Sequence, residues 1–360
     1  MYLKRLKLIN FKNYTDKEFE FVSKINLIVG PNGIGKTNLI DSIYYLSFCK
    51  SYFNSVDSQN ISHDKDYFFI SGEFVFDETT EIIQCSVKKN TKKIFKRNDK
   101  EYPTLSEHIG LIPAVMIAPT DNQLITGGSE ERRRFIDSTI SQFNKNYLKN
   151  LIKYNKALMQ RNKILKDFKQ KNQIDNDLLD IIDHQLIIPG NEIFTQRQDF
   201  TSNFMPVFTE IYPKISGNTE NVGIEYESDL KNNDFKKLLI DSKEKDLILE
   251  YTNKGIHKDD LIFKLNNYLI RRIGSQGQQK SLLIALKFAQ YNYLVNLSQV
   301  KPILLLDDIF DKLDEKRVTN IINFIVADNF GQIFITDTNK KRLEEIIKKI
   351  QNVEYKFFEL

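Results

Sequence analysis

Gly30-Pro31-Asn32-Gly33-Ile34-Gly35-Lys36-Thr37 is the stretch on which the reading of the fold turns. It fits G-x-x-x-x-G-K-[ST], the pattern of a phosphate-binding loop. Its flanks agree: Ile25-Asn26-Leu27-Ile28-Val29 before it reads as a buried strand, and Asn38 to Leu46 after it as a helix. Each residue type has a physical task. Glycines let backbone N–H groups approach a β-phosphate, and the helix start adds the positive end of a dipole. Lys36 is expected to reach the β- and γ-phosphates and stabilise charge in the transition state, and the Thr37 hydroxyl to ligate Mg²⁺. Gly30, Pro31, Asn32, Gly33, Ile34, Gly35, Lys36, Thr37 and Asn38 together form the expected triphosphate cradle.

Composition sets the frame around this loop. A chain of 360 residues, 41% hydrophobic and 28% charged, has room for one large or two ordinary globular domains. Lys4, Arg5 and Lys7 alternate with Leu3, Leu6 and Leu8, unlike a signal peptide, and no apolar run has the length of a membrane span. Cys49, Cys85 and four scattered histidines offer no zinc spacing, so a cytoplasmic protein without zinc is expected. The net charge of +4 says little by itself about partners.

Outward from the loop, Tyr2 to Ile9 alternates with the period of a strand, and Phe19, Phe21 and Val22 suggest a second. Phe68 to Phe76 and Glu81 to Val87 read as further strands, and Gly110 to Ala118 as another core strand. An antiparallel, hairpin-rich sheet after the first helix is an arrangement of ABC-type ATPases. Lys88, Lys89, Lys92, Lys93, Lys96, Arg97 and Lys100 then crowd together, opposed only by Asp99. Such an arm suits nucleic acid, with Lys92, Lys93 and Lys96 as candidate contacts, but equally suits a solvated hairpin.

The texture turns helical from Ser129. Tyr147, Leu151, Tyr154, Leu158, Leu165 and Phe168 recur at steps of three and four, with Arg161 in the remaining slot. That is an apolar stripe on a helix of about 25 residues, roughly 40 Å long. Its outer face is basic, with nine lysines and arginines between Asn144 and Lys171 against Asp167 alone, and Lys149, Lys153 and Lys156 are candidate DNA contacts. Once these two basic segments are set aside, the rest of the chain is net acidic. A second helix, Leu178 to Phe208, is expected to kink or break at Pro189-Gly190 and to pair antiparallel with the first. Asn218 to Asn233 is the most polar connection.

Two later segments complete a nucleotide site. Ile303-Leu304-Leu305-Leu306-Asp307-Asp308 is a run of aliphatics ending in paired acids, as in a buried parallel strand that delivers carboxylates at its C-terminal edge. Asp307 is expected to hold the Mg²⁺ shell, and Asp308 to orient or deprotonate the attacking water as the catalytic acid of the pair. Gly274-Ser275-Gln276-Gly277-Gln278-Gln279-Lys280 opens another helix and forms a second phosphate-binding start. One subunit has no need of two such loops on the same phosphates. Ser275, Gly277 and Gln278 are therefore expected to serve the nucleotide of a partner subunit.

These residues carry a resemblance. The phosphate loop, the S-x-G-Q signature, the acid pair and Asp311-Lys312-Leu313-Asp314 resemble the SMC-class ABC-type ATPases. More narrowly, the chain is similar to the RecF family. Asn10-Phe11-Lys12-Asn13-Tyr14, Gly127 to Asp137 with its Arg132-Arg133-Arg134-Phe135-Ile136-Asp137, Gln160-Arg161-Asn162 and Gly255-Ile256-His257-Lys258-Asp259-Asp260 narrow it. The resemblance adds Lys12 and Asn13 to the ATP contacts. It also implies a weak, DNA-dependent ATPase that uses ATP and Mg²⁺, dimerises on ATP and binds duplex DNA beside single-stranded gaps. Its implied partners are RecR and RecO, with which it assists RecA loading in repair and replication restart. The chain departs from the family pattern at several places. Lys12 stands where arginine is usual, Ser129 replaces a proline, and Thr120 replaces an acid. No histidine occurs between Gln332 and Thr338, which leaves a threonine or aspartate there for the γ-phosphate side, and Gln123 is a candidate for the glutamine that connects the lobes.

The expected architecture is an α/β ABC-type head. Its ATPase lobe comprises residues 1–120 and 296–360, and its mainly helical lobe, residues 121–295, carries the signature and a short helical hairpin. Lys36 and Ser275 lie 239 residues apart, room for that hairpin but not for a long coiled coil. The rivals are a transporter's nucleotide-binding subunit, opposed by the absent switch histidine and the localised basic charge, and a defence ATPase, opposed by the lack of a second acidic cluster.

Overall fold

In the computed structural model, residues 1–171, 175–217, 220–298, 300–310, 315–327, 330–349 and 353–360 are described. Asp311-Lys312-Leu313-Asp314 lies outside them. The chain parts into two compact units: Met1–Asp121, Ile211–Asn218 and Lys280–Leu360 form the first, Asn122–Glu210 and Thr219–Gln279 the second. The second boundary therefore falls earlier than residue 296. The helix Gln276–Leu297 is apolar nearly all round from Ser281 to Tyr291, so those residues are buried in the first unit rather than displayed as an amphipathic helix of the second.

The first unit has two sheets. A five-stranded parallel sheet runs in the order Tyr355–Glu359, Ile25–Val29, Ile333–Asp337, Ile303–Leu306, Ala114–Ile117. Its inner strands are continuous apolar runs because both faces are covered. A six-stranded antiparallel sheet runs Tyr14–Glu20, Tyr2–Phe11, Tyr67–Phe76, Thr79–Lys88, Ile94–Arg97, Lys100–Glu101. The helix Lys36–Phe48 is buried along almost its whole length, and Leu39, Ile40, Ile43 and Leu46 share one core with Leu6, Leu8, Phe68 and Ile70 from the antiparallel sheet and Ile28, Leu305 and Phe334 from the parallel one. The strand periodicities read from the sequence correspond to these elements.

The second unit contains the helices Ser129–Phe143, Lys145–Lys171 and Phe235–Leu249, most of Asn176–Ser216, and a three-stranded antiparallel sheet of Tyr268–Leu269, Asp260–Leu265 and Val222–Glu227. The last of these strands arises inside the segment expected to be a polar connection, whose residues 218 and 219 are outside the described ones. The two long helices run antiparallel. Arg161 meets Asp183 and Tyr147 meets Arg197, so the pairing moves backward along one helix as it moves forward along the other.

Of the kink or break expected at Pro189-Gly190, the break does not occur, since Asn176–Ser216 is one helix of 41 residues. Proline removes one backbone hydrogen bond, but packing replaces what is lost. Gly190 is the contact point. A Cβ there would come within 2.5 Å of the Phe235 ring and 3.2 Å of Tyr154. Among the described residues, no helix is long and apolar enough to cross a membrane.

Candidate nucleotide-binding site

The loop after Ile25–Val29 is braced from the hairpin at the start of the chain. Asn13 Nδ2 donates to the Ile34 carbonyl at 2.7 Å and Tyr14 Oη to that of Gly35 at 3.0 Å. Asn38 Nδ2 completes the brace by donating to Asn13 Oδ1 at 2.8 Å. Gly35 needs to be glycine on two counts. Its φ is 121°, and a Cβ would sit 2.5 Å from Asn13 Nδ2. Gly35 is also the N-cap of the Lys36–Phe48 helix, and no side chain caps that helix. The first amide groups of the helix are thus left without a side-chain acceptor, which suits an anion.

Lys36 is buried, and its Nζ donates to the carbonyls of Gly30 at 2.9 Å and Pro31 at 3.2 Å, closing the loop around its own ammonium. Thr37 Oγ1 donates to Asp307, 3.0 Å from Oδ2 and 3.1 Å from Oδ1. The strand Ile303–Leu306 delivers Asp307 to this point because its neighbours are both parallel, so its C-terminal end lies at the same edge as that of the strand before the loop. Burial pushes the Asp307 carboxyl above the usual carboxylate range, with the negative Asp308 beside it adding to this, while hydrogen bonds from Thr336 and Thr37 pull the other way. A buried carboxylate facing a threonine hydroxyl is a pair of hard oxygen donors and fits Mg²⁺. Thr336 Oγ1 donates to Asp307 Oδ1 at 2.8 Å and accepts from the Asp308 amide at 2.9 Å, so one hydroxyl sets both acids. Asp308 holds a left-handed φ of 46°.

Lys12, expected among the ATP contacts, is directed elsewhere. Its Nζ lies 2.6 Å from Asp41 Oδ2, and Asp41 is fully buried and also accepts from Ser51 Oγ and the Tyr52 amide. Lys93 is likewise drawn inward, onto Asp57 at 2.8 Å and the Cys49 carbonyl at 2.6 Å. Its charge belongs to the packing beneath the hairpin rather than to an outward arm. Lys92 is exposed and Lys96 half-buried, while Lys149, Lys153 and Lys156 are all exposed along one helix.

In the second unit, Ser275 and Gln278 cap the helix Gln276–Leu297 reciprocally. The Gln278 amide donates to Ser275 Oγ at 3.2 Å, and the Ser275 amide to Gln278 Oε1 at 2.7 Å. The serine and glutamine of the signature thus form a capping box. Gln278 Nε2 also donates to Glu220 Oε1 at 2.7 Å. Gly277 lies within this first turn, half-buried, and Gln123 is exposed at the start of the short helix Gln123–Thr126.

The motifs that narrowed the resemblance are largely a buried polar framework. Arg132 forks onto both oxygens of Asp260, at 2.6 and 2.9 Å. Arg197 is buried between Asp137 and Asp259, each at 2.9 Å, and donates to the Ile256 carbonyl. Arg161 is buried between Asp183 and Asp246. Burial works against these guanidinium charges, but the adjacent carboxylates outweigh it and hold Arg161 and Arg197 above their ordinary values. Reading the sequence missed Arg197 and Asp246. The signal for Arg197 was present, since it fills one slot of the buried stripe Ile193, Phe200, Phe204 and Phe208, as Arg161 does on its own helix.

Comparison with known proteins agrees with this geometry. Residues 2–356 match the model of the family described as RecF/RecN/SMC N terminal domain. The DNA replication and repair protein RecF of Flavobacterium johnsoniae is 49% identical over 360 residues, covering the whole of both chains. That of Bacteroides fragilis (strain YCH46) is 48% identical over 359 residues, 99% of this chain and 96% of its own. Among solved structures, the recombination mediator protein RecF with ATPrS, described as acting in the RecFOR pathway, aligns with a TM-score of 0.88 at 31% identity, covering 100% of this chain and 96% of its own. An Smc head bound to the C-winged helix domain of ScpA shares the fold, with a TM-score of 0.56 at 17% identity over 94% of this chain and 90% of its own. The chain has the ABC-type ATPase fold and belongs to the RecF family.

Proposed function

We propose that the chain is an ATP-dependent DNA-binding protein of recombinational repair and replication restart. In this reading it binds ATP with Mg²⁺, dimerises on ATP and binds duplex DNA beside single-stranded gaps. It hydrolyses ATP slowly and assists RecA loading with RecR and RecO. The observation that carries it is the contact of Thr37 with Asp307 beside the braced phosphate loop, with Asp308 held next to both by Thr336.

Lys36 leaves its two carbonyls and meets the triphosphate, supplying positive charge where it grows in the transition state. Thr37 and Asp307 hold Mg²⁺, which when bound offsets the charge on the phosphate oxygens. Asp308 orients the water that attacks the γ-phosphorus in line with the leaving ADP oxygen, and accepts its proton. Ser275, Gly277 and Gln278 close over the γ-phosphate of a partner's nucleotide, so each of two sites in a dimer takes one loop from each subunit. Lys92, Lys96, Lys149, Lys153 and Lys156 are the candidate DNA contacts. Asn13 acts through the loop it braces, and Lys12 acts through Asp41.

The test is ATP turnover by the purified chain with and without gapped duplex DNA, alongside Asp308→Asn. Expected is a slow rate raised by DNA in the parent. The variant should retain ATP, lose hydrolysis and accumulate as a dimer by size. Normal turnover in the variant would remove Asp308 from its role, and no turnover in the parent would remove the ATPase reading.

A further inference from the structure

The strand Ile333–Asp337 lies between the strand that enters the phosphate loop and the strand that delivers the two acids. Asp337 is level with Val29 on one side, and Ile335 is level with Leu306 on the other. Its last two residues therefore stand between the loop and the acids. Thr336 binds both acids. Asp337 is 2% exposed, and its Oδ1 accepts from the Asn339 amide at 2.8 Å and from Arg342 Nη2 at 2.9 Å. The Arg342 fork is divided, because Nη1 donates to the Phe310 carbonyl at 3.1 Å. Phe310 belongs to the turn that follows Asp307, the acid loop.

The divided fork is informative. An arginine paired with one carboxylate frequently closes on it with two parallel bonds, as Arg132 does on Asp260. Here Asp337 Oδ2 and Arg342 Nε are both buried, and neither has a hydrogen-bond partner among the described residues. The guanidinium forgoes the second bond to its carboxylate and reaches the acid loop instead. That loop is consequently held at two places: the Asp308 amide on Thr336 and the Phe310 carbonyl on Arg342. Between them sits Asp308 at φ 46°, in the left-handed region that aspartate tolerates better than most residues other than glycine.

We infer that Arg342 and Asp337 are positioning residues for ATP hydrolysis, a strut that holds the Asp308 loop at the distance from the phosphate loop that attack requires. The strut does not touch nucleotide. Its loss changes the rate of the chemical step and leaves binding in place, because Lys36, Thr37 and Asp307 are unaffected. A shift of the order of an ångström at a reacting group costs about 100-fold in rate, which bounds the effect. This inference rests on the ATPase reading above.

The experiment compares the full-length parent, Arg342→Ala, Arg342→Lys and Asp337→Asn in steady-state turnover, equilibrium ATP binding and thermal midpoint. Expected for Arg342→Ala is a kcat lower by about 10- to 100-fold with ATP affinity within about two-fold of the parent, and partial recovery of kcat in Arg342→Lys. Asp337→Asn is nearly isosteric, so it tests the strut even where Arg342→Ala folds poorly. It should lower kcat with KM unchanged. A parent-like kcat in folded Arg342→Ala and Asp337→Asn, with only the thermal midpoint moved, would overturn the inference alone. Parallel loss of ATP affinity and kcat in folded variants would also overturn it, because that pattern belongs to a binding residue. A parent that binds ATP without hydrolysing it would overturn the ATPase reading, and this inference with it.

Discussion

Two helices of this chain open with a glycine-bearing, phosphate-type start, and they are finished differently. The helix at Lys36 begins at a left-handed glycine with no side-chain cap, and its loop is braced from behind by Asn13 and Tyr14. The helix at Gln276 is already capped by its own Ser275 and Gln278. The first start leaves its amides for an external anion. The second satisfies one of its own, the Gln278 amide, with Ser275 Oγ. On the proposed function, the difference sets an order of engagement: the uncapped start takes the nucleotide of its own chain, and the capped one meets the nucleotide of a partner.

The strongest test of the contrast is Lys36→Ala. Turnover should fall by at least about 1,000-fold, since charge stabilisation dominates phosphoryl transfer, and a near-normal rate would break the comparison at its root.

A pH titration comes next, because the signature's unit is held by internal pairs that titrate. Burial lowers His257 to about 4; its neutral ring accepts from Tyr154 Oη at 2.7 Å and donates to the Thr252 carbonyl at 2.9 Å. Between about pH 6.5 and 4 the unfolded chain binds a proton that the folded one refuses, so stability is lost as pH falls through that window, by roughly 3 kcal/mol in all. Asp259, raised by burial, contributes a slope of the opposite sign. His257→Gln should flatten the dependence of thermal midpoint on pH over this window, and an unaltered slope would assign it to other groups.

A third test asks whether the two starts act in different subunits. Lys36→Ala mixed with Ser275→Arg should recover roughly a quarter of normal turnover, since about half the dimers are mixed and each of these keeps one intact site. No recovery, and no crosslinked mixed dimer with ATP, would place both loops on one nucleotide.

Ser275→Ala is the mildest. Loss of the cap should cost about 1 kcal/mol of stability while leaving ATP binding by the single chain unchanged. Weakened ATP binding in the monomer would show that the capped start is not idle there.

The ATPase fold was legible because its signals are local. A strand, a glycine loop, Lys36 and Thr37 follow one another, and the aliphatic run before Asp307 announces a buried parallel strand. The antiparallel hairpin of long helices was equally legible from the stripe through Tyr147, Tyr154 and Phe168. What could not be read depended on partners distant in sequence. Lys12 and Lys93 look like surface cations until Asp41 and Asp57 are seen beneath them. Proline at 189 reads as a breaker, yet the packing of Gly190 against Phe235 keeps the helix whole. Thr336 carries no motif of its own, and only the parallel pairing of its strand brings it between the two acids.

The buried arginine framework of the second unit also constrains how this sequence can drift over time. Arg161, Arg197 and Arg132 are each buried against the aspartates they pair with. Loss of one member strands a charge away from water, at a cost of about 3–5 kcal/mol, whereas joint replacement by apolar residues is close to neutral. Viable descendants must therefore change these positions in sets. Between distant relatives the arginine and its aspartates should appear or vanish together, so the framework would persist as a recognisable block while the exposed lysines around it exchange freely.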